Sequence, residues 1–281
     1  MKKIVLTTDF SENSWNAIFT ALKLYATIKC EFYIVHAYGP TALNLMGSKS
    51  QQRLGVIYDS LSKYAEQELE GILKYLEVNH QNPNHSFTAI SKPKALEEAL
   101  ALVVSKYDID LLITGTQGAT GAKEVFLGSN AVKIINSIKK IPVLAVPTGF
   151  NFQKLDTVLF ATDFMTSFKK NELFYLRELA SLWKAKLEVI YVAVTFNLND
   201  EQNANKAILE ERFNGLEYHY KQVPFDRSIS NSIDAHTAGM DAAILGIIRH
   251  HHTFWEKVIG EPIVKKIAFH SAIPVLFLPQ Y

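Results

Sequence analysis

The sequence predicts an α/β protein of two tandem doubly wound domains, each with a five-stranded parallel sheet flanked by helices. One observation is that continuous apolar runs alternate with amphipathic segments, which is typical of parallel strands covered by helices on both faces. The other is an internal repeat, in which residues 4–10 (IVLTTDF) return as 158–164 (VLFATDF) and residues 141–147 (IPVLAVP) return as 273–279 (IPVLFLP). Because the first pair opens each half and the second closes it, chance similarity between buried strands explains the pattern poorly.

The length and a short linker divide the chain in the same way. A length of 281 residues favours about two domains of ordinary size. Residues 148–154 lie between the repeats and are short and polar, so we predict a first domain at 1–149 and a second at 155–281. The spacing of the repeats makes the second copy about 22 residues shorter, and the missing piece corresponds to residues 39–59, after the second strand.

Each element of the first half follows from its local pattern. Ser11 and Ser14 provide N-caps for a first helix with apolar residues at helical spacing, and Pro93 starts a later helix because proline suits the first turn. The predicted strands are 3–8, 31–38, 85–90, 110–115 and 142–147, and the later helices are 56–78, 93–105 and 129–138. The second half repeats the order, with strands near 157–161, 187–194, 216–222, 241–246 and 274–279.

Composition and charge argue against several classes of partner. The net charge is +1, with 29 basic and 28 acidic residues, which gives no basic footprint for nucleic acid. The apolar run at the start ends after three residues, too early for a signal peptide, and no run approaches the roughly 20 residues that span a bilayer. The single cysteine, Cys30, excludes an intramolecular disulfide and favours a reducing compartment, so we expect a cytoplasmic protein that binds neither nucleic acid nor membrane.

A glycine-rich segment follows the fourth predicted strand and carries the chemistry. Gly115 and Gly118 lie at the carboxyl end of this buried strand, where ligands of doubly wound sheets bind, and Gly128, Ser129 and Asn130 open the next helix. A bound phosphate needs close backbone approach, free N–H groups and preferably a helix N-terminus. We expect Gly115 and Gly118 to supply approach and positive φ, although a glycine-rich turn plus a helix cap would need the same residues.

The segment resembles a known family. Gly115-x2-Gly118-x9-Gly128-Ser129 is similar to the ATP-binding pattern of the universal stress proteins, and Thr8-Asp9-Phe10-Ser11, Val35-His36-Ala37 and Ile141-Pro142-Val143 fall at matching places. The resemblance implies a Rossmann-like fold in each half. It implies that Asp9 and Ala37 hold adenine and ribose, and that Thr8 also belongs to the nucleotide site. It also implies that the phosphates of ATP, ADP or AMP, with Mg²⁺, lie against Gly115, Gly118, Gly128, Ser129 and Asn130.

The resemblance also bears on assembly. Members of this family commonly pair through their last strands, and tandem members make that pairing within one chain. The strands that begin at Pro142 and Pro274 are therefore candidates for the interface of an internal pseudo-dimer. A further homodimer stays open.

The second half departs from the phosphate-binding pattern. Gly246 is followed by two isoleucines and Arg249, so the second glycine is absent, and Glu261 and Pro262 stand where the first half has Ser129 and Asn130. A carboxylate there repels a phosphate by roughly 1 kcal/mol per charge pair even at the dielectric of water. The missing N–H donor of Pro262 and the bulk of Arg249 add to this. We therefore predict that the second half binds no nucleotide.

Two alternatives for the loops remain. The run His250–His252 could bind a metal if His236 or His270 joined it, although a solvated loop or a contact with the first half is favoured. Lys123 and Glu124 could contact phosphates or magnesium, although solvated loop charges are favoured. We predict no metal site.

The sequence favours a binding protein over an enzyme. The loop lacks the lysine and Ser/Thr of a P-loop NTPase, and no nucleophile elbow supports acyl transfer, so no catalytic residue is predicted. The favoured function is a nucleotide-binding regulatory protein of the stress response, with one nucleotide in the first half. The alternatives are slow ATP hydrolysis in the first half and an interaction scaffold that binds no nucleotide.

Overall fold

Strands and helices alternate along the chain in a computed structural model that describes residues 1–39, 51–117, 128–193, 197–249 and 271–281, without the side chains of 51–54. The first half contains β1 (Lys2–Thr7), α1 (Glu12–Leu24), β2 (Cys30–Ala37), α2 (Gln51–Asn79), β3 (His85–Lys92), α3 (Leu96–Tyr107), β4 (Leu111–Gly115), α4 (Ser129–Ser137) and β5 (Val143–Val146). The second half contains β6 (Thr157–Ala161), α5 (Phe174–Trp183), β7 (Lys186–Ala193), α6 (Asp200–Arg212), β8 (Tyr218–Pro224), α7 (Ile229–Thr237), β9 (Ala243–Ile248) and β10 (Val275–Leu278).

The strands form one sheet in the order β3-β2-β1-β4-β5-β10-β9-β6-β7-β8. Five parallel strands come from each half in the same order, which confirms the predicted fold class. The halves meet where β5 pairs antiparallel with β10, with Leu144 opposite Leu276. All four residues of each of these strands are buried, so the junction belongs to the hydrophobic core.

The two halves differ in the connection that follows their second strand. This connection contains α2, with 29 residues, in the first half and α6, with 13 residues, in the second. The second half is therefore shorter in the connection that the sequence comparison indicates, and part of the difference lies in the helix itself. Residues 40–50, in the predicted missing piece, lie outside the described residues.

One helix starts later than predicted. The helix expected to begin at Pro93 begins at Leu96, with Ala95 in an extended conformation before it. The Lys94 N–H donates to the Lys92 carbonyl at 2.9 Å, which makes a turn of residues 92–94. Pro93 therefore belongs to the loop that follows β3 rather than to the helix.

The turn after the first strand has the same construction in both halves. Phe10 adopts a left-handed φ of 67°, and its N–H donates to the Thr8 hydroxyl at 3.0 Å. An Asp9 carboxylate oxygen accepts from the next N–H at 3.2 Å. The second half repeats both contacts over residues 162–165, with φ of 56° at Phe164. Short polar side chains that bond to the nearby backbone stabilise this turn without glycine.

No helix among the described ranges is both long enough and apolar enough to cross a membrane.

Candidate functional site

A cavity of about 770 Å³ opens at the carboxyl ends of β1, β2 and β4. The amino-terminal ends of α3 and α4 complete its wall. The predicted site residues that line it are Thr8, Asp9, Ala37, Gly115, Gly128, Ser129 and Asn130. The remaining one, Gly118, lies outside the described residues. Segments from both ends of the first half therefore meet around one space of ligand size.

The amino-terminal end of α4 faces this cavity. Gly128 is the N-cap, and in the described part of the chain no side chain bonds to the helix end. The Gly128 N–H itself donates to the Thr116 carbonyl at 2.5 Å, which ties the helix start to the end of β4. The first N–H groups of a helix have no intrahelical acceptor, and the helix dipole places partial positive charge there. This end of α4 can therefore accept an anion.

Gly115 has a different role from the predicted one. It is not among the described glycines with positive φ, which are Gly149, Gly215 and Gly239. A Cβ atom at Gly115 would lie 2.5 Å from the side-chain nitrogen of Asn13 on α1. The explanation from positive φ is therefore wrong for Gly115, because the missing side chain makes room for α1.

Gly246 of the second half is in the same situation. A Cβ there would collide with Leu176 of α5. Both halves thus need glycine at this point of the sheet for helix packing, whether or not the rest of the phosphate-binding pattern is present.

Hydrogen bonds hold the floor of the cavity in place. The Thr7 hydroxyl donates to the Thr114 hydroxyl at 2.7 Å, and this buried contact joins β1 to β4. The Thr8 hydroxyl lies 3.0 Å from the Ser14 hydroxyl, and the Ser11 hydroxyl donates to Asp9 at 2.5 Å. Asp9 is therefore held at the end of β1 in an orientation fixed by α1. Such preorganisation reduces the entropy that a ligand must remove on binding.

The side chain of His36 also lines the cavity and was missed as a site residue. Its Nδ1 lies 2.8 Å from the Thr8 carbonyl oxygen. Because a carbonyl only accepts, Nδ1 carries the proton and donates. The imidazole ring lies 4.4 Å from the Phe10 ring, so the second strand and the β1 turn support each other at the cavity wall. The Val35-His36-Ala37 motif contains the only sequence signal for this residue.

Two lysines at the cavity rim were missed as well. Lys133 lies one helical turn after Ser129, and its Nζ is 3.7 Å from a Glu97 carboxylate oxygen. Lys94 lies in the loop before α3 and pairs at 3.8 Å with Glu98. Both ion pairs are longer than a hydrogen bond and both lysines are exposed, so the lysines remain available to other anions. The i, i+4 spacing from Ser129 could have indicated Lys133. Lys94 was missed because the predicted helix began at Pro93 and so included Lys94, which lies in the loop.

In the second half, α6 covers the turn that corresponds to the cavity floor. The buried side chains of Gln202 and Asn205 donate to the carbonyl oxygens of Asp163 and Phe164, each at 2.8 Å. Asp163 is itself buried, whereas Asp9 is half-buried. The short α6 thus lies on this turn and bonds to two of its carbonyls.

Arg249 does not obstruct a cleft in the second half as predicted. Its guanidinium lies against the first half, where it donates to the carbonyls of Ile138 and Ile141 at 2.6 and 2.9 Å. These carbonyls follow the end of α4, so the side chain of Arg249 lies at the junction of the halves. Glu261 and Pro262 lie outside the described residues.

His236 contacts a carboxylate of the second half. Its Nε2 donates to one Glu188 carboxylate oxygen at 2.5 Å, and His219 Nε2 donates to the other at 2.7 Å. Burial alone would raise the pKa of Glu188, but these hydrogen bonds outweigh it and hold the pKa below its ordinary value. No group of three metal-binding side chains within the described ranges is arranged to hold an ion. His250–His252 and His270 lie outside them.

Comparison with known proteins gives a family and a fold. The model of the universal stress protein family matches residues 1–147. A solved universal stress protein from Archaeoglobus fulgidus DSM 4304 is similar with a TM-score of 0.66 and 18% identity, over 99% of this chain and 96% of that chain. A functionally unknown protein from Pseudomonas aeruginosa PAO1 is similar with a TM-score of 0.58 and 14% identity, over 99% and 92%. At these identities the structures share the fold alone, and no curated protein matches the chain.

Proposed function

The chain belongs to the universal stress protein family, and from that premise we propose that its first half binds one adenine nucleotide, as ATP, ADP or AMP. In this proposal the protein is a regulator of the stress response whose surface changes with nucleotide occupancy. The observation that carries it is the meeting of seven predicted site residues around one cavity, beside an uncapped helix N-terminus. The cavity volume of about 770 Å³ lies within the range of small-molecule sites.

We assign the parts of the nucleotide to two regions of the cavity. Thr8, Asp9 and Ala37 hold adenine and ribose at the ends of β1 and β2. The phosphates lie against the segment that starts with Gly115 and Gly118 and continues as Gly128, Ser129 and Asn130. Support for the phosphate end comes from the dipole of α4 and from the rim lysines, which add positive charge. Mg²⁺ would accompany the phosphates, as it is usually bound through them.

The second half binds no nucleotide in this proposal. Its turn carbonyls are already hydrogen-bonded to Gln202 and Asn205, and a ligand would have to displace two buried contacts. Each buried polar group that loses its partner costs about 1–3 kcal/mol. This adds to the sequence argument from Glu261 and Pro262.

We extend the proposal to the arrangement of the chain. Domains at 1–149 and 155–281 form an internal pseudo-dimer through their last strands, which is supported by the antiparallel pairing of β5 with β10. The buried thiol of Cys30 suits a reducing cytoplasm.

The first test is to denature freshly purified protein and to separate the released small molecules by chromatography. We expect about one adenine nucleotide per chain, recovered without turnover on incubation. Two per chain would contradict the assignment of the second half. Steady release of ADP and phosphate would favour the hydrolase alternative. No nucleotide, even after titration with ATP, would favour the interaction scaffold.

A substitution at the start of α4 tests the phosphate end. Ser129→Glu places a carboxylate at the helix N-terminus and introduces the residue that the sequence has at the matching position, Glu261, whereas Ser129→Gln adds a similar volume without charge. We expect the first to weaken ATP binding by about tenfold or more, since repulsion from a polyphosphate exceeds roughly 1 kcal/mol per charge pair. The second should change affinity by about twofold at most. Equal affinity of the two variants in calorimetric titration would remove the phosphates from this end of α4.

A further inference from the structure

We propose that Arg249 of the second half is a positioning residue for the nucleotide site of the first half. It acts through α4, whose carboxyl-terminal end it holds and whose amino-terminal end faces the cavity. The inference rests on the proposed nucleotide binding and adds a regulatory link to it. Loss of the guanidinium should weaken binding at a site that Arg249 does not touch.

The contacts of Arg249 concentrate on one helix end. One terminal nitrogen donates to the carbonyls of Ile135 at 2.9 Å and Ile138 at 2.6 Å, and the other donates to Ile141 at 2.9 Å. The last carbonyls of a helix lack intrahelical donors, and a basic side chain of the helix often supplies them. The last turn of α4 contains no basic residue. Arg249 therefore supplies from the second half what the helix lacks.

The positive charge of Arg249 lies against the carbonyl dipoles at the end of α4. Burial lowers the pKa of the guanidinium to about 10, so the group stays protonated at neutral pH. In the described part of the chain its donors go to carbonyl oxygens, and no carboxylate forms an ion pair with it. The partial negative charge at the end of α4 thus offsets part of the cost of burying this cation, and separating the two is costly.

The helix is short enough to connect its two ends rigidly. Its nine residues span about 13 Å, from Ser129 at the cavity to Ser137 beside Arg249. The dipole of α4 favours both a cation at its carboxyl-terminal end and a phosphate at its amino-terminal end. The hydrogen bonds of Arg249 to the helix end, which we call the clamp, also fix where the first-turn N–H groups point. Counted from the shared glycines Gly115 and Gly246, Arg249 occupies the place of Gly118. The residue that departs from the pattern in the second half therefore supports the pattern in the first.

The matched control breaks a different contact between the halves. Lys2 lies at the amino-terminal end of β1, away from the cavity, and its ammonium pairs with Glu178 of α5 at 2.7 Å. Lys2→Met keeps the apolar stem and removes this ion pair, and Arg249→Met does the same at the other contact. Both variants weaken the junction between the halves, but only Arg249→Met removes hydrogen bonds to the end of α4.

The experiment measures the dissociation constant for ATP by calorimetry in the full-length parent and in Arg249→Met, Arg249→Lys and Lys2→Met. We expect a weakening of at least fivefold for Arg249→Met, partial recovery for Arg249→Lys, and less than twofold change for Lys2→Met. Parent-like affinity of Arg249→Met, or equal losses in Arg249→Met and Lys2→Met, would overturn the inference. Should Arg249→Met not fold, the comparison of Arg249→Lys with Lys2→Met decides in the same way.

Amide hydrogen exchange over residues 128–137, without nucleotide, separates this inference from the proposed function. Faster exchange in Arg249→Met than in Lys2→Met supports the contact of Arg249 with α4. If the parent then binds no ATP, it is the proposed function that fails, and the role of Arg249 in nucleotide binding fails with it. Unchanged exchange in Arg249→Met contradicts the clamp whatever the parent binds.

Discussion

The same turn follows the first strand of each half, but the contacts of this turn with the helix that follows the second strand differ between the halves. In the second half, α6 lies on the turn and bonds to its carbonyls. In the first half the corresponding turn borders the cavity through Thr8 and Asp9. The difference teaches that a repeated motif alone does not mark a site. Thr-Asp-Phe is repeated because the turn requires it, and the surroundings decide whether a ligand can reach it.

A second difference between the halves lies farther from the cavity. In the first half, Tyr33 of β2 packs against Tyr107 of α3, with ring centroids 4.6 Å apart. By strand register the corresponding residue of the second half is Glu188, which bonds to His236 of α7. The same contact between strand and helix is thus aromatic in one half and a hydrogen bond between imidazole and carboxylate in the other. Sensitivity to acid should therefore be concentrated in the second half.

The largest effect on stability is expected at the glycine that both halves share, Gly115 and Gly246. Gly115→Ala and Gly246→Ala both introduce a Cβ into a packed helix contact, and overpacking typically costs about 1–3 kcal/mol. We expect Gly115→Ala to cost more, about 2–3 kcal/mol, because the Cβ meets both the side chain and the backbone of Asn13. Gly246→Ala meets mainly a leucine methyl group, which can shift.

Urea denaturation measures these changes in the free energy of unfolding. Gly71→Ala on α2 serves as the control, since a Cβ there meets nothing within 4 Å. Alanine is the better helix former, so this variant should gain about 0.5–1 kcal/mol. A neutral Gly246→Ala would show that the glycine is not retained for packing.

The next effect concerns the covered turn of the second half. Gln202→Leu removes both the donor to the Asp163 carbonyl and the acceptor of the Asn199 N–H, at a cost of about 1–3 kcal/mol. The number of nucleotides bound per chain should stay at one, because uncovering one carbonyl does not create a phosphate site. Chemical denaturation and nucleotide titration of the same variant check both parts. A second bound nucleotide would show that α6 alone closes the second cleft.

The smallest effect is the acid response of Glu188. Because its pKa is lowered in the folded protein, its contribution to stability is present above the ordinary carboxyl range and is lost as the pH falls below about 4. Glu188→Gln should cost about 1 kcal/mol at neutral pH and flatten the loss of stability on acidification. Thermal unfolding at a series of pH values measures this. Tyr33→Phe is the control in the first half and should leave the acid slope unchanged.

The fold could be predicted from the sequence to within a few residues, because buried parallel strands are continuous apolar runs and the repeat supplied each boundary twice. Two helix starts were mispredicted. The helix predicted at 56–78 begins at Gln51, and the start of α3 moved from Pro93 to Leu96 because a local turn follows β3. The candidate site was predicted as a set of backbone segments. The rim lysine Lys94 was missed because the helix start was placed at Pro93, and His36 was missed because a strand pattern alone does not show that its side chain lines the cavity. The contacts of Arg249 join residues more than 100 positions apart, and no local pattern indicates them.

The antiparallel pairing of β5 with β10 also has a consequence for synthesis. Val143–Val146 leaves the ribosome long before Val275–Leu278, so during translation β5 is paired only with β4. Its outer side is then an open apolar edge of the kind that recruits other strands. A length of only four residues limits how firmly a stray strand can attach. Until β10 is synthesised, the first half therefore has an unpaired edge at β5. The β5 of a neighbouring copy, which has the same sequence, can pair with this edge.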